Sequence, residues 1–179
     1  MDTTDLQARL DQLAPLLVGG SPHAVDLGFT LERIAPGEAT VRGPYRRDLI
    51  GDPETGVMHG GVITALLDHA CGMAGFAGLG GDKALATLDL RLDYMRPATP
   101  GEDVIAEART VKIAGLVAFV EAVAHNGDRT DPVATAHAAF MVTRTSEKAA
   151  EQAKTDIEQG RTPISMAPQP KSDEKGGPS

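Results

Sequence analysis

Tryptophan is absent from this 179-residue chain, and it has only two tyrosines and four phenylalanines. Without aromatic platforms the chain is not built to stack single-stranded bases. Positive charge is scarce as well: 17 lysines and arginines stand against 25 aspartates and glutamates, a formal net charge of −8. No general positive field exists to draw in nucleic acid or an anionic lipid surface, and an anionic ligand would need a local basic patch. The single cysteine, Cys71, cannot close an internal disulfide. Set in an apolar helical run, it reads as a small packed hydrophobe and fits a reducing compartment. No window approaches the roughly 20 apolar residues of a membrane span. The start of the chain, Met1 to Asp5, lacks the basic and apolar regions of a signal peptide. The expectation is a cytoplasmic protein that engages neither membrane nor nucleic acid. There is no metal-type cysteine or histidine cluster, no phosphate-loop glycine pattern and no repeat of solenoid length, so no metal or cofactor is expected.

What is present suffices for one core, since 41% of residues are hydrophobic. Leucines at 6, 10, 13, 16 and 17 form a helical stripe that ends at Gly19-Gly20, giving an amino-terminal helix over residues 1–20. Residues 27–34 and 38–45 flank Pro36-Gly37 and read as a hairpin. Residues 46–58 have a loop composition. From about Gly61 to Ala77, Val62, Ile63, Leu66, Leu67, Ala70, Met73 and Ala74 recur at helical spacing with no proline, so this is a core helix. Its other face carries Gly61, Thr64, Ala65, Asp68, Gly72 and Gly75. A stripe of small residues around one carboxylate implies that something approaches closely.

Residues 85–95 alternate strictly, with Leu88, Leu90, Leu92 and Tyr94 on one side and Thr87, Asp89, Arg91 and Asp93 on the other. The polar set reads as a solvated strand face. Three further β-rich runs follow over 103–112, 116–125 and 133–143, and the economical arrangement of these four strands is an antiparallel meander. Residues 147–159 could extend a polar helix, and the proline- and glycine-bearing stretch beyond them is expected to be disordered. The domain expectation is therefore a helix over 1–20, a folded body over 21–146 and a polar tail over 147–179. The class is α+β, with an antiparallel sheet wrapping one very apolar helix.

Two features of that helix carry chemistry. His59-Gly60-Gly61 stands at its amino terminus, where free N–H groups and the positive end of the dipole can stabilise an oxyanion. Asp68 is a carboxylate on a helix that otherwise reads as core, a position that is costly unless the group is hydrogen-bonded or functional. At about 1.5 Å rise per residue the eight residues between Gly60 and Asp68 span roughly 12 Å, too far for both to meet one carbonyl. Two such helices running antiparallel across a two-fold axis would instead bring Gly60 of one against Asp68 of the other. His69, His125 and His137 have no assignable chemical role.

The run from Gly51 through Asp52-Pro53-Glu54-Thr55-Gly56-Val57-Met58-His59-Gly60-Gly61 to Asp68 resembles the signature of phenylacetate-pathway (PaaI-like) hotdog thioesterases. The resemblance continues through Leu88-Asp89-Leu90-Arg91-Leu92-Asp93-Tyr94-Met95-Arg96-Pro97 and covers about residues 25–145. It implies a hotdog fold, a curved antiparallel sheet around a long central helix, in a homodimer or homotetramer that hydrolyses acyl-CoA, with CoA as part of the substrate. It also implies that Gly60 donates the oxyanion-hole N–H and that Asp68 is nucleophile or general base. Thr87 would position water, and Tyr94, Arg96 and Lys112 would contact the CoA portion; His59 would fix the loop or touch substrate. Many members place an amide side chain in the loop before the histidine, and Asp52-Pro53-Glu54-Thr55 has none. That departure leaves room for a non-catalytic acyl-CoA-binding protein, while a hotdog dehydratase is the other enzymatic alternative.

Overall fold

Nineteen residues with no proline and almost no charge form the central helix of the computed structural model, which describes residues 3–143. The expected tail over 147–179 and the boundary at 146 lie outside the described residues. In chain order the elements are α1 (Thr3–Gly19), α2 (Pro22–Asp26), β1 (Thr30–Ala35), β2 (Glu38–Gly43), β3 (Ile50–Asp52), β4 (Val57–Met58), α3 (Gly60–Gly78), β5 (Ala84–Tyr94), β6 (Val104–Ala114), β7 (Val117–His125) and β8 (Ala134–Thr143). Helix α2 is a single turn that sequence periodicity does not resolve. Ser21 caps it, accepting from the Ala24 N–H, and Pro22 occupies the first turn, where its missing N–H costs nothing.

Six strands form one antiparallel sheet in the order β1-β2-β6-β7-β8-β5. This corrects the meander: β6, β7 and β8 follow one another through short turns, but β5 pairs with β8 at the far edge. The connection from β5 to β6 is long and carries Pro97, Pro100 and Gly101, so it spans the sheet instead of turning tightly. It is tied down where Met95 N–H donates to Val133 O and Asn126 Nδ2 donates to Asp103 O.

The sheet curves around α3. Its inward row is alanine-rich, with Ala39, Ala106, Ala108, Ala118, Ala122, Ala124, Ala134, Ala136 and Ala138 all buried. Against this shallow surface sit the bulky residues of α3, namely Ile63, Leu66, Leu67 and Met73. Large side chains on one layer and small ones on the other let the two close to crystal-like density. Helix α3 is long and apolar enough by composition to cross a membrane, contrary to the sequence reading; here the sheet and the amino-terminal helices enclose most of it. Gly75, seven residues from Asp68 and so on the same stripe, is buried where β5 closes over it: a Cβ there would lie 2.9 Å from Leu85 Cδ1. Helix α1 covers the carboxyl-terminal end of α3: Leu10 packs with Ile34 and Ala77, and Gln7 donates to Ile34 O.

Cys71 is fully buried on α3, as a packing residue should be. Burial pushes its thiol up to about 12, with the negative charge of Asp68 adding to the effect. A thiol raised in the folded state ionises first in the unfolded chain, so the stability it contributes is complete below the ordinary thiol range and declines as pH rises toward 12. Denaturation midpoints measured from about pH 8 to about pH 11 should fall more steeply for wild type than for Cys71→Ala. Parallel pH profiles would contradict this account of the thiol.

Candidate active site

The loop before α3 is built to deliver His59 in one orientation. Arg47–Leu49 makes a single 3₁₀ turn, and β3 and β4 form a small hairpin within the stretch that composition marks as loop. Asp52 organises the tip: its carboxylate accepts from Glu54 N–H and Thr55 Oγ1, and its carbonyl accepts from Gly56 N–H. Those bonds hold the Asp52 carboxyl below its ordinary range, with the Thr55 hydroxyl the largest cause. Gly56 takes φ +74°, which a Cβ would disfavour, and its carbonyl accepts from Tyr45 Oη. The polar groups around Asp52 are thus committed to the turn itself, where the resemblance leads one to expect an amide side chain. Beyond the turn, His59 N–H donates to Leu49 O.

His59 is the N-cap of α3. Its Nδ1 accepts from the Gly61 N–H at 2.9 Å and its carbonyl accepts from Val62 N–H. Accepting through Nδ1 requires the imidazole tautomer with its proton on Nε2. A Cβ at Gly61 would lie 2.9 Å from His59 Nδ1, so a larger residue there would push the imidazole away from its capping position. With the next two N–H groups taken, Gly60 N–H is left without a hydrogen-bond partner among the described residues. It is exposed at the positive end of a 19-residue helix.

Two turns further, Asp68 lies partly exposed on the strip of α3 that the sheet leaves uncovered. Its Oδ1 accepts from Thr87 Oγ1 at 3.0 Å. Strict alternation along β5 would have turned Thr87 outward with Asp89, Arg91 and Asp93. The register instead slips between Thr87 and Asp89, leaving Leu88 unpaired and 54% exposed. This bulge shifts the phase of the strand by one residue, so Leu85 and Thr87 face the helix together with Leu90, Leu92 and Tyr94. Arg91 and Asp93 stay on the solvated face as an exposed ion pair.

Tyr94 also returns to the helix. Its hydroxyl donates to Gly60 O at 2.7 Å and lies 2.9 Å from Thr64 Oγ1, which in turn lies 3.1 Å from the same carbonyl. Thr64 was legible only as one of the small residues of the stripe; its position four residues from both Gly60 and Asp68 is the signal that could have singled it out. Arg96 does not present a free cation. Its guanidinium donates to Pro97 O, Asn126 Oδ1 and Asp131 O and pairs with the Asp131 carboxylate. Lys112 is exposed on β6, two residues beyond Thr110, whose hydroxyl bonds Ala74 O near the opposite end of α3. One protomer therefore joins His59, Gly60, Thr64 and Tyr94 in one cluster and Asp68 with Thr87 in a second, and holds Lys112 away from both.

The remaining histidines are structural or peripheral. His125 is buried, facing Glu107 at 3.2 Å and accepting from Gly127 N–H. His69 packs by Phe29, and desolvation lowers its pKa; His137 is exposed. Beside Gly60 opens an apolar cavity of about 400 Å³, bounded by Met58, Ile63, Tyr94, Met95, Ala98 and Val133. That volume is within the range of small-molecule sites. Among the described residues no group of three or more histidine, cysteine or acidic side chains could hold a metal ion.

Residues 55–133 match the family model described as Thioesterase superfamily, a segment that contains both clusters. A Halobacterium salinarum protein, named only provisionally as an esterase, is 37% identical over 98 residues, which span 53% of this chain and 64% of that relative. The medium/long-chain acyl-CoA thioesterase YigI of Escherichia coli is 29% identical over 146 residues, 74% of this chain and 93% of that one. A solved mutant structure of the phenylacetic acid degradation protein PaaI from Thermus thermophilus is 30% identical with a TM-score of 0.60, covering 69% of this chain and 100% of that chain. With its apolar helix wrapped by a curved antiparallel sheet, this chain belongs to the thioesterase superfamily, as a hotdog protein of the PaaI-like type.

Proposed function

We propose that the protein is a thioester hydrolase that converts acyl-CoA, with a medium-chain or aryl-acyl group, to the free acid and CoA. The observation that carries the reading is that one helix presents an unpaired N–H at Gly60 and, two turns on, a carboxylate held by Thr87. Gly60 N–H and the helix dipole stabilise the negative charge that develops on the thioester oxygen. Thr87 engages Oδ1 of Asp68, leaving Oδ2 free either to take a proton from the attacking water or to attack the carbonyl carbon directly. In both routes the C–S bond breaks as the tetrahedral oxyanion collapses and the CoA thiolate leaves and is protonated; water gives the acid at once in the first route, and in the second it hydrolyses the acyl-aspartyl anhydride to the acid and free Asp68. The apolar cavity beside Gly60 suits an acyl group better than a phosphate.

Since about 12 Å along α3 separates the two groups, a working site needs Gly60 of one protomer and Asp68 of another. A homodimer is the smallest assembly that supplies this, and a homotetramer would contain two such pairs. Two features support the pairing. Strand β5 is an edge strand with no further strand beside it among the described residues, and its backbone beyond Ala84 offers a row of groups to a second copy. The strip facing that copy carries Gly61, Thr64, Ala65 and Gly72, which permit close approach. In an antiparallel pair that sets Gly60 against Asp68, residue numbers across the axis sum to a constant, and Thr64 faces Thr64. The reading places the enzyme in the cytoplasm.

Thiol release from short, medium and aryl acyl-CoA esters should show turnover by wild type and a fall of about 10²-fold or more in Asp68→Asn. Undiminished turnover in the variant would remove Asp68 from the chemistry. Thr64→Cys tests the pairing separately, because Cys71 is buried and gives little background. Mild oxidation should convert the variant to a covalent dimer on a non-reducing gel. If it stays monomeric there, and also with a short bis-maleimide, the helices do not cross at Thr64.

A further inference from the structure

Two adjacent glycines begin α3, and glycine has the widest choice of backbone conformation. A catalytic N–H carried on such a segment can point in many directions unless neighbouring groups fix it. In this protein the peptide joining Gly60 to Gly61 is held at both ends. Its N–H, on Gly61, donates to His59 Nδ1 at 2.9 Å. Its carbonyl, on Gly60, accepts from Tyr94 Oη at 2.7 Å and lies 3.1 Å from Thr64 Oγ1. The two hydroxyl oxygens are themselves 2.9 Å apart. Two hydroxyl protons serve three short contacts, so Tyr94 makes the direct bond while Thr64 either shares the carbonyl or donates to Tyr94 Oη.

We infer that His59, Tyr94 and Thr64 form a clamp on the Gly60–Gly61 peptide and act as positioning residues for the oxyanion donor. The inference rests on the thioesterase reading and deepens it, assigning Tyr94 to orientation in place of contact with CoA and settling on the loop-fixing alternative for His59. Satisfying the helix does not explain the arrangement. The Gly60 carbonyl opens α3, whose own hydrogen bonding supplies it with an acceptor role, and a further donor arrives from β5, 34 residues away in sequence. Nor does burial explain it, because Tyr94 is 52% exposed and its ring forms a wall of the open cavity. What the clamp achieves is to leave the Gly60 N–H as the one unpaired donor of the first turn while removing the freedom of the residue that carries it. Preorganised donors of this kind stabilise a developing charge without reorganising during reaction.

The bulge at Leu88 makes the clamp compatible with the other half of the site. Thr87 and Tyr94 are an odd number of residues apart, so a regular strand would turn one of them away from α3. With Leu88 set out of register, a single edge strand holds Asp68 at one point and the Gly60 carbonyl at another.

The test compares wild type, Tyr94→Phe, Thr64→Val and Thr64→Ser in acyl-CoA hydrolysis and in amide exchange of Gly61 followed by NMR. Loss of one hydrogen bond to the clamp should lower kcat about tenfold in Tyr94→Phe, with KM within about twofold and the thermal midpoint unchanged. Thr64→Val should fall in the same sense, Thr64→Ser should recover, and the Gly61 amide, which is hydrogen-bonded to His59 Nδ1, should exchange faster in the two impaired variants. A raised KM at unchanged kcat would make Tyr94 a substrate contact and overturn the clamp, as would unaltered amide exchange. If wild type hydrolyses no thioester, the enzymatic reading fails, and the exchange rates still decide whether Tyr94 and Thr64 hold the peptide.

Discussion

Ile63, Leu66, Leu67 and Met73 can leave water together only if a surface shallow enough to receive them curves around the helix that carries them. Alanines along β6, β7 and β8 provide it, and their small side chains bring the sheet backbone close to α3. At about 25 cal/mol for each Å² of apolar surface removed from water, enclosing such a helix is a dominant stabilising contribution of the domain. The enclosure is not complete. The strip bearing Gly61, Thr64, Ala65 and Asp68 and the outer edge of β5 remain open side by side among the described residues, and the groups proposed to react lie there.

This incompleteness sets the chemistry. An oxyanion donor must be at a helix start, where N–H groups are free, and a carboxylate must be on the uncovered strip, where it is not stranded in the core. Both requirements are met on α3, but they hold Gly60 and Asp68 about two turns apart, which is why the proposed site is divided between protomers. Strand β5 is the element that fixes each group from outside the helix, Asp68 through Thr87 and Gly60 through Tyr94.

Much of this was legible in the residues. Helical periodicity located α3 to within a residue at each end, Pro36-Gly37 marked the first hairpin, and His59-Gly60-Gly61 with Asp68 marked the groups proposed to react. The strand order was not legible, because alternation identifies β5 without naming its neighbour, and β8 is some forty residues further along the chain. The bulge was hidden for a different reason. Leu88 continues the leucine pattern of Leu90 and Leu92, so the sequence looks regular at the one place where the register slips. Arg96 shows the limit of reading charge without contacts: its basic side chain suits a phosphate in the abstract, yet the structure commits it to Asn126 and Asp131.

The most direct test of the divided site is complementation between two protomers. Gly60→Pro removes the N–H at a first helical position that tolerates proline, and Asp68→Ala removes the carboxylate. Each variant alone should be inactive, while unfolding and refolding an equal mixture should restore thioester hydrolysis, because half of the dimers then pair an intact Gly60 with an intact Asp68. Mixed dimers that form and remain inactive would contradict the account.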